Sequence, residues 1–315
     1  MTAPGRARFV VDAGGEGQRL DLFVARQLGV SAAGARRLID AGEVRLTGGV
    51  AAKGRRLRTG EAVEIDAAVA ARTAAPTAPV LPDQTIAVTV VHEDRDLVAI
   101  DKPAGIPSHP LRAGERGTAA NAIVARFPEC ADASDDPREG GLGHRLDTPT
   151  SGVLLAARSP EIWRRLRAAL GGAGCEKVYL AEVRGHPPDT GRITADIGRS
   201  GRRGATVRTD GGRNPRPAQT AFTVLARGET TALVEARLHA GRPHQVRAHL
   251  ASAGFPIVGD DRYGLPSDAD ADAAAPGLRL HAAAVTFAHP TTNERITIAA
   301  PPPAWAARAR FTCSR

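Results

Sequence analysis

Apolar residues follow one pattern in the first part of the chain and another in the rest. Leu20, Val24 and Leu28 lie at the spacing of one helical face, and a second helix follows directly. Two short strands are then predicted at 43–46 and 61–65. The remaining sequence is dominated by short alternating or apolar runs between turn residues, which are typical of strands. The pattern therefore predicts a small unit of helices and strands, followed by a larger unit made mainly of strands.

The stretch between these two patterns is rich in alanine, proline and threonine and carries almost no charge. It reads AAVAARTAAPTAPVLPD over residues 67–83, a composition typical of linkers. We therefore predict three segments, which are a small domain at 1–67, a linker at 68–84 and a main domain at 85–315.

The main domain is predicted to contain many strands and few helices. Strands are predicted at 88–91, 97–100, 153–157, 176–184, 220–226, 231–238 and 294–299. One helix is predicted at 119–126, a second begins at Pro160 after the capping Ser159, and a third follows Arg247. Residues 199–216 are rich in glycine and arginine, and we interpret them as a flexible loop.

The composition limits the class of protein. A chain of 315 residues with 42% hydrophobic content can bury a full core. No apolar run approaches the length that spans a bilayer, and the first 17 residues lack the apolar core of a signal peptide, so we expect a soluble, cytoplasmic protein. Cys130, Cys175 and Cys313 are odd in number and far apart, which favours a reducing compartment over a disulfide framework or a zinc site.

The balance of charge favours a polyanionic partner. Lysine plus arginine outnumber aspartate plus glutamate by 42 to 34, and the isoelectric point is about 10.3, which suits nucleic acid or an acidic membrane surface. The loop at 199–216 carries six arginines and one aspartate, a net charge of +5 that suits a phosphate backbone. In the small domain, one basic patch is predicted from Arg36, Arg37, Lys53, Arg55 and Arg56. The alternative for these positions is an ordinary solvated surface.

A charged turn with candidate chemistry stands at 143–157, which reads GHRLDTPTSGVLLAA. Asp147 is followed by Pro149 and Gly152, which provide a tight turn before an apolar strand. A carboxylate that is presented from a loop but anchored on a rigid strand is mounted as a catalytic acid would be. The alternative is that Asp147 forms a structural ion pair with Arg145 or caps the turn.

This turn resembles the HRLDxxTSG signature of the RluA-type pseudouridine synthases. Other segments resemble the same family in the same order, namely KPAG at 102–105, KVYL at 177–180, GRPHQVR at 241–247, FPIVGDDRYG at 255–264 and LHAAAVTFAHP at 280–290. Residues 19–44 are similar to an S4 RNA-binding domain in their RLD and LI-x-x-G-x-V pattern. The resemblance implies an α+β fold, with an N-terminal S4 RNA-binding domain and a pseudouridine synthase catalytic domain built on a mixed, mainly antiparallel sheet.

The resemblance also implies roles for single residues. It makes Asp147 the essential aspartate, pairs Arg247 with it, and gives Tyr179 a place in the pocket that holds the flipped base. Arg145 stands beside Asp147 and would fill the gap left by that base, and Arg242 would face RNA. No cofactor or metal is expected, because the isomerisation of uridine needs no redox partner or external group. The chain also shows no P-loop, dinucleotide fingerprint or zinc spacing.

Three other polar residues lie in or near the segments that carry the resemblance. Lys102 and His109 are candidates for phosphate contact, but at such loop positions we expect exposure to solvent. His281 is interpreted as a structural histidine rather than a base.

The sequence therefore predicts an RNA pseudouridine synthase that is a monomer without a membrane partner. Large-subunit ribosomal RNA is the favoured substrate, because the S4-like segment and the HP dipeptide at 109–110 resemble members that act on it, and transfer RNA is the alternative. A catalytically lapsed RNA-binding or ribosome-assembly protein is a second interpretation. A hydrolase of nucleosides or sugars is a third, although a common glycosidase would need a paired second carboxylate.

Overall fold

The computed structural model divides into two compact units, Met1–Ala78 and Pro79–Arg315. It describes residues 6–30, 32–47, 49–52, 54–66, 69, 79–112, 114–201, 206–239, 241–264 and 277–307. Lys53 and most of the predicted linker at 68–84 lie outside these residues.

The described part of the small unit includes two α-helices, a short 3-10 helix (Ala13–Gly15) and a three-stranded antiparallel sheet. Its elements are β1 (Arg6–Val10), α1 (Leu20–Leu28), α2 (Ala32–Asp40), β2 (Val44–Leu46) and β3 (Ala62–Asp66), and the strand order is β1-β3-β2. The predicted helical face is confirmed, because Leu20, Val24 and Leu28 are buried in one core with Val63 and Ile65 of β3. The sequence did not predict β1, because this segment has few apolar residues. Its extended conformation is held by pairing with β3.

The large unit is built on a sheet of nine strands. The strands of this unit are β4 (Thr89–Glu93), β5 (Leu97–Lys102), β6 (Ser151–Ala157), β7 (Glu176–Arg184), β8 (Thr190–Thr194), β9 (Ile197–Ser200), β10 (Thr206–Arg208), β11 (Arg213–Arg216), β12 (Gln219–Arg227), β13 (Thr231–Leu238), β14 (Leu280–Ala288) and β15 (Arg295–Ala299). The nine-stranded sheet has the order β4-β5-β6-β14-β7-β13-β12-β8, with β15 beside β14. Within the described residues, β6 and β14 are parallel and the other neighbours are antiparallel. This mixed sheet agrees with the predicted α+β class.

Helices cover both faces of the sheet near β6. The α-helices described in this unit are α3 (Ala119–Arg126), α4 (Pro160–Gly171) and α5 (Gln245–Ser252), and short 3-10 helices occupy Pro128–Asp132 and Ala304–Ala306. Ser159 caps α4 as predicted, since its side chain accepts a hydrogen bond from the N–H of Ile162. Successive residues of β6 point to opposite faces, so Leu154 packs with α3 in one core and Leu155 packs with α4 in another.

The predicted flexible loop at 199–216 is wrong for the residues that are described. Three of the strands, in the order β10-β9-β11, form a separate antiparallel sheet. Ile197 and Val207 are buried in one cluster with Ala248 of α5, and this apolar contact anchors a segment whose composition alone favours disorder. Arg202 and Arg203 lie outside the described residues.

The end of the predicted linker belongs to the large unit. The N–H of Val80 donates to the carbonyl oxygen of Pro137 at 2.9 Å, and the N–H of Asp83 donates to that of Asn121 at 3.1 Å. Val80 is also buried in the core beneath α3. One apolar side chain and two backbone hydrogen bonds therefore fix a segment that composition alone assigned to a linker.

Candidate active site

Asp147 lies on a loop that is tied to a neighbouring loop on both sides of the carboxylate. The N–H of Leu146 donates to Ser108 Oγ at 2.9 Å, and Ser108 Oγ donates to the carbonyl oxygen of Leu146 at 2.7 Å. The N–H of Gly105 donates to the carbonyl oxygen of Thr148 at 2.9 Å. These hydrogen bonds hold the backbone of Asp147 in one position.

The exit of this loop is fixed by the close approach of β6 to β14. Gly152 has a φ of +113°, and a Cβ added to it would lie 2.2 Å from the carbonyl oxygen of Ala282, so glycine is required there. Beside it, Ser151 Oγ lies 2.8 Å from His281 Nδ1. His281, which was interpreted as structural, is buried, and this burial lowers its pKa to about 4.

Lys102 is buried beside the loop of Asp147, so its predicted exposure is wrong. Its Nζ donates to the carbonyl oxygens of Pro103, Ile106 and Thr148 at 2.8, 2.7 and 3.2 Å, which together replace water around the ammonium group. Burial lowers the pKa of Lys102 to about 8, although nearby carboxylates, that of Asp147 first, favour its charged form. Lys102 therefore connects the KPAG segment to the residue that follows Asp147.

Arg247 of α5 contacts three carboxylates, of which Asp261, at 3.3 Å from Nη2, is the most exposed. Its Nε and Nη2 donate to Asp260 Oδ2 and Oδ1 at 2.9 and 2.7 Å, and its Nη1 donates to Asp147 Oδ2 at 3.0 Å. Burial alone would lower the pKa of Arg247, but hydrogen bonds and charge attraction from Asp260 and Asp147 raise it. Burial likewise opposes the charge on Asp260, and Arg247 outweighs it and lowers the pKa of this carboxyl. The buried guanidinium therefore stays charged and fixes one oxygen of Asp147.

His244 and Tyr263 lie next to this pair. His244 Nε2 is 3.7 Å from Asp147 Oδ1, and His244 Nδ1 is 2.8 Å from the hydroxyl of Tyr263. The hydroxyl of Tyr263 also accepts the N–H of Val207 at 2.9 Å, and the guanidinium carbon of Arg247 lies 5.3 Å from the centre of its ring. Burial lowers the pKa of His244 and raises that of Tyr263, so both rings are neutral at neutral pH.

Tyr179 stands on β7, half-buried between two hydrophobic cores. Its cross-strand neighbours are Ala236 and Ala282, whose small side chains leave room for the ring. Burial raises the pKa of Tyr179, and the charge of Asp147 raises it further, so the phenol is protonated. Tyr179 therefore presents a neutral aromatic ring close to the carboxylate of Asp147.

Arg145 is exposed on the same loop as Asp147. Its Nη1 donates to His109 Nε2 at 3.0 Å, and because arginine can only donate, His109 carries its proton on Nδ1 and donates it to the carbonyl oxygen of Pro110 at 2.8 Å. His109 is half-buried, so its predicted exposure is only partly correct. The contact holds Arg145 at the rim of the site.

In the small unit, Asp21 is the centre of the basic surface. Its buried carboxylate accepts hydrogen bonds from Arg19 Nη2 at 2.8 Å and from Arg36 Nε at 2.7 Å. The backbone of Arg19 also pairs with that of Arg56. Arg19, which sequence reasoning did not select, therefore connects two members of the predicted patch.

The other predicted RNA-binding residues differ in their surroundings. Arg37 is exposed, whereas Arg55 is half-buried and donates to Glu61 Oε1 at 2.5 Å. In the large unit, Arg242 is half-buried, and its Nε donates to the carbonyl oxygen of Pro217 at 3.4 Å. Lys53 lies outside the described residues.

Sequence reasoning gave no role to His244, Asp260 and Tyr263. A signal was present, because they stand in the GRPHQVR and FPIVGDDRYG segments that carry the family resemblance. In the second segment, an apolar run leads directly into two acidic residues, and an acidic residue next to a buried run needs a buried partner.

Among the residues that the structure describes, no group of three or more histidine, cysteine, aspartate or glutamate side chains is placed to hold a metal ion. Within the same ranges, no helix has the length and apolar character needed to cross a membrane.

Known proteins resemble this chain in the part that carries the site. A family model described as RNA pseudouridylate synthase matches residues 96–252, which include Asp147, Tyr179 and Arg247. The chain is 40% identical over 207 residues to an uncharacterized RNA pseudouridine synthase of Chloroflexus aurantiacus, which covers 65% of this chain and 62% of that protein. It is 38% identical over 232 residues to the ribosomal large subunit pseudouridine synthase D of Xanthomonas campestris, which covers 70% of this chain and 67% of that protein.

A solved structure gives the same result. The human RNA pseudouridylate synthase domain containing 1 has a TM-score of 0.55 and 26% sequence identity, over 72% of this chain and 88% of that one. The chain belongs to the RNA pseudouridine synthase family, whose members isomerise uridine to pseudouridine.

Proposed function

We propose that the protein isomerises uridine to pseudouridine in large-subunit ribosomal RNA. One observation carries the proposal. The carboxylate of Asp147 is half-exposed on a fixed loop, with Oδ2 held by Arg247 and with no hydrogen bond to Oδ1 from the residues that the structure describes. The relative from Xanthomonas campestris is a ribosomal large subunit pseudouridine synthase D, which supports ribosomal RNA as the substrate.

The reaction breaks the bond from C1′ to N1 and forms a bond from C1′ to C5 of the same base. The C5 proton is then lost, and N1 gains a proton. Asp147 either attacks C1′ as a nucleophile or removes a proton from the sugar to give a glycal. Both routes require a carboxylate oxygen with a free lone pair, and Oδ1 meets this requirement.

The uridine must leave its stack before Asp147 can reach its sugar. Arg145 is exposed at the rim, where its guanidinium can take the place of the flipped base. The half-buried ring of Tyr179 can then hold that base by stacking. In this proposal Arg145 fills the gap left in the RNA, and Tyr179 binds the flipped base.

We also propose that the small unit is an S4-like RNA-binding domain. Asp21 holds Arg19 and Arg36, and Arg56 lies beside Arg19. The side chains of Arg19 and Arg36 are partly exposed, so their remaining N–H groups can donate to phosphates, which supports this proposal. The family model begins at residue 96, so this proposal rests on the basic surface and on the sequence pattern.

The test maps pseudouridines in ribosomal and transfer RNA from cells that lack the gene, by carbodiimide modification and primer extension. The cells are complemented with wild type, with Asp147→Asn, or with Asp135→Asn as a matched control. Asp135 is an exposed carboxylate that pairs with Arg164 at 3.9 Å. We expect wild type and Asp135→Asn to restore the missing site and Asp147→Asn to leave it unmodified, because loss of the carboxylate should slow the reaction at least about 1,000-fold.

Three other outcomes would change the proposal in different ways. A restored site in transfer RNA would correct the RNA class and leave the chemistry in place. Restoration by Asp147→Asn would remove Asp147 from the reaction. If no site changed, the protein would be an RNA-binding or assembly protein.

A further inference from the structure

The two oxygens of Asp147 have different surroundings. Oδ2 accepts a hydrogen bond from Arg247 Nη1 at 3.0 Å, which engages its lone pair. Oδ1 faces His244 Nε2 at 3.7 Å, a distance that is too long for a hydrogen bond and short enough for a charge to act on the ring. Oδ1 is therefore the oxygen that is available for reaction, and His244 is the side chain that faces it.

His244 is held in place by features outside the site. It precedes α5 with a left-handed backbone, φ +52°, which is uncommon for a residue with a side chain. Its ring meets that of Tyr263 edge to face, with the ring centres 5.7 Å apart and the planes at 82°. The hydroxyl of Tyr263 is in turn fixed by the backbone N–H of Val207 in β10. The sheet formed by β9, β10 and β11 thus contributes to the position of His244.

These contacts select the position of the proton on His244. The N–H of Val207 can only donate, so the hydroxyl oxygen of Tyr263 accepts there and keeps its own proton for a second hydrogen bond. His244 Nδ1, at 2.8 Å, is placed to accept that proton. The neutral ring then carries its own proton on Nε2, which points toward Asp147 Oδ1. The other tautomer would place a nitrogen lone pair against a carboxylate.

The charged groups around His244 agree with a neutral ring. The carboxylates of Asp147 and Asp260 favour the protonated ring, whereas the guanidinium groups of Arg247 and Arg262 oppose it. Burial also opposes the charge and is the largest influence, so the pKa of His244 is lowered.

We propose that His244 is a positioning residue for Asp147, which directs Oδ1 toward the sugar by presenting an Nε2–H group to it. This inference rests on the proposed function, since it concerns the carboxylate that would react. Arg247 and His244 face one oxygen each, so the carboxylate cannot rotate about its Cβ–Cγ bond without losing one of these interactions. Tyr263 acts one step further away, by fixing the tautomer of His244.

Two amide substitutions separate this role from a merely structural one. The amide nitrogen of His244→Gln reaches about as far as Nε2 and can donate to Asp147. That of His244→Asn reaches about as far as Nδ1 and can contact Tyr263 alone. Asparagine also tolerates the left-handed backbone better than glutamine, so a structural role predicts that His244→Asn is the better enzyme.

The rate is measured in single turnovers with large-subunit ribosomal RNA transcribed from uridine tritiated at C5, because pseudouridine formation releases this tritium to water. We expect His244→Asn to lower the rate about 100-fold and His244→Gln to stay within about tenfold of wild type. RNA affinity, measured by filter binding, should be unchanged in both variants. A rate for His244→Asn that equals or exceeds that of His244→Gln overturns the inference.

Further measurements separate the possible failures. If wild type releases no tritium, the proposed function fails and this inference fails with it. If wild type is active and Asp147→Asn is inactive, the proposed function stands, and the relative rates of His244→Gln and His244→Asn test this inference alone. If thermal melting shows that a His244 variant does not fold, Tyr263→Phe decides. A slower release of tritium with unchanged RNA affinity supports the role of the ring, and an unchanged rate overturns it.

Discussion

Each of the two units buries one charge against partners of opposite sign, but the sign of the buried charge is reversed. In the small unit, the buried carboxylate of Asp21 accepts hydrogen bonds from Arg19 and Arg36. In the large unit, the buried guanidinium of Arg247 donates to Asp260 and to Asp147. In both cases the buried charge orients a group that remains accessible to a ligand.

The difference lies in which charge reaches the surface. The side chains of Arg19 and Arg36 are 43% and 45% exposed, so the small unit presents two cations that Asp21 keeps in place. In the large unit the accessible partners are Asp147, whose side chain is 26% exposed, and Asp261, whose side chain is 77% exposed. A buried acid therefore presents two cations to solvent, as a phosphate-binding surface requires, and a buried base holds a carboxylate in one orientation.

The largest effect is expected from Arg247→Met, which removes the centre of the second arrangement. Asp260 would then be buried without a counter-charge, which costs about 3–5 kcal/mol of stability, and Asp147 would lose the group that orients it. Urea unfolding should show the loss of stability, and tritium release should fall to the level of Asp147→Asn.

A double variant, Arg247→Met with Asp260→Leu, tests the two roles of Arg247 separately. Replacing both buried charges by apolar groups should recover most of the stability, because no unpaired charge remains. Activity should stay lost, since Asp147 still lacks its partner. Recovery of activity together with stability would show that Arg247 acts on folding alone.

A smaller effect is expected from Asp21→Asn, the corresponding change in the small unit. The amide keeps the size of the side chain but loses the charge that holds Arg19 and Arg36, at a cost of about 1–3 kcal/mol to this unit. Hydrogen exchange of α1 and α2 should report the loss, and RNA affinity should fall. The rate of tritium release at saturating RNA should not change, and a loss as large as that of Arg247→Met would contradict the division of roles.

The smallest effect is expected from Arg36→Gln, which removes one outward cation. If Arg36 contacts a phosphate, the slope of log affinity against log salt should become shallower by about one, at unchanged turnover. Arg26→Gln is the matched control, because Arg26 is an exposed arginine of α1 that stacks on Phe23. Equal changes in the two variants would indicate a diffuse charge effect rather than a phosphate contact.

Local periodicity was enough to predict most of the helices and strands of this protein. α3 was predicted at its observed bounds and α4 at its capped start, because each repeats apolar residues on the face that is buried. The three-stranded sheet of β9, β10 and β11 was missed, because its buried residues pack against Ala248 of α5, which is distant in sequence. Composition indicates the conformation that a segment prefers in isolation, and it does not account for packing against a distant helix.

The candidate site shows the same limit. Asp147, Tyr179 and Arg247 were selected from motifs, and the structure brings Asp147 into contact with Arg247 across 100 positions of sequence. Lys102 was expected in solvent, because nothing in KPAG indicates that three carbonyl oxygens would surround its ammonium group. Asp260 and Tyr263 were passed over because their partners belong to other segments.

The parallel pairing of β6 with β14 has a consequence during protein synthesis. Ser151 and His281, which meet at this pairing, are 130 positions apart, and at ordinary translation speeds the ribosome needs roughly ten seconds or more to make that length. Until β14 emerges, the strand that follows Asp147 is paired with β5 on one side only, and Arg247 has left the ribosome only shortly before. A growing chain therefore carries the carboxylate of Asp147 long before Arg247 and β14 are available to complete its surroundings.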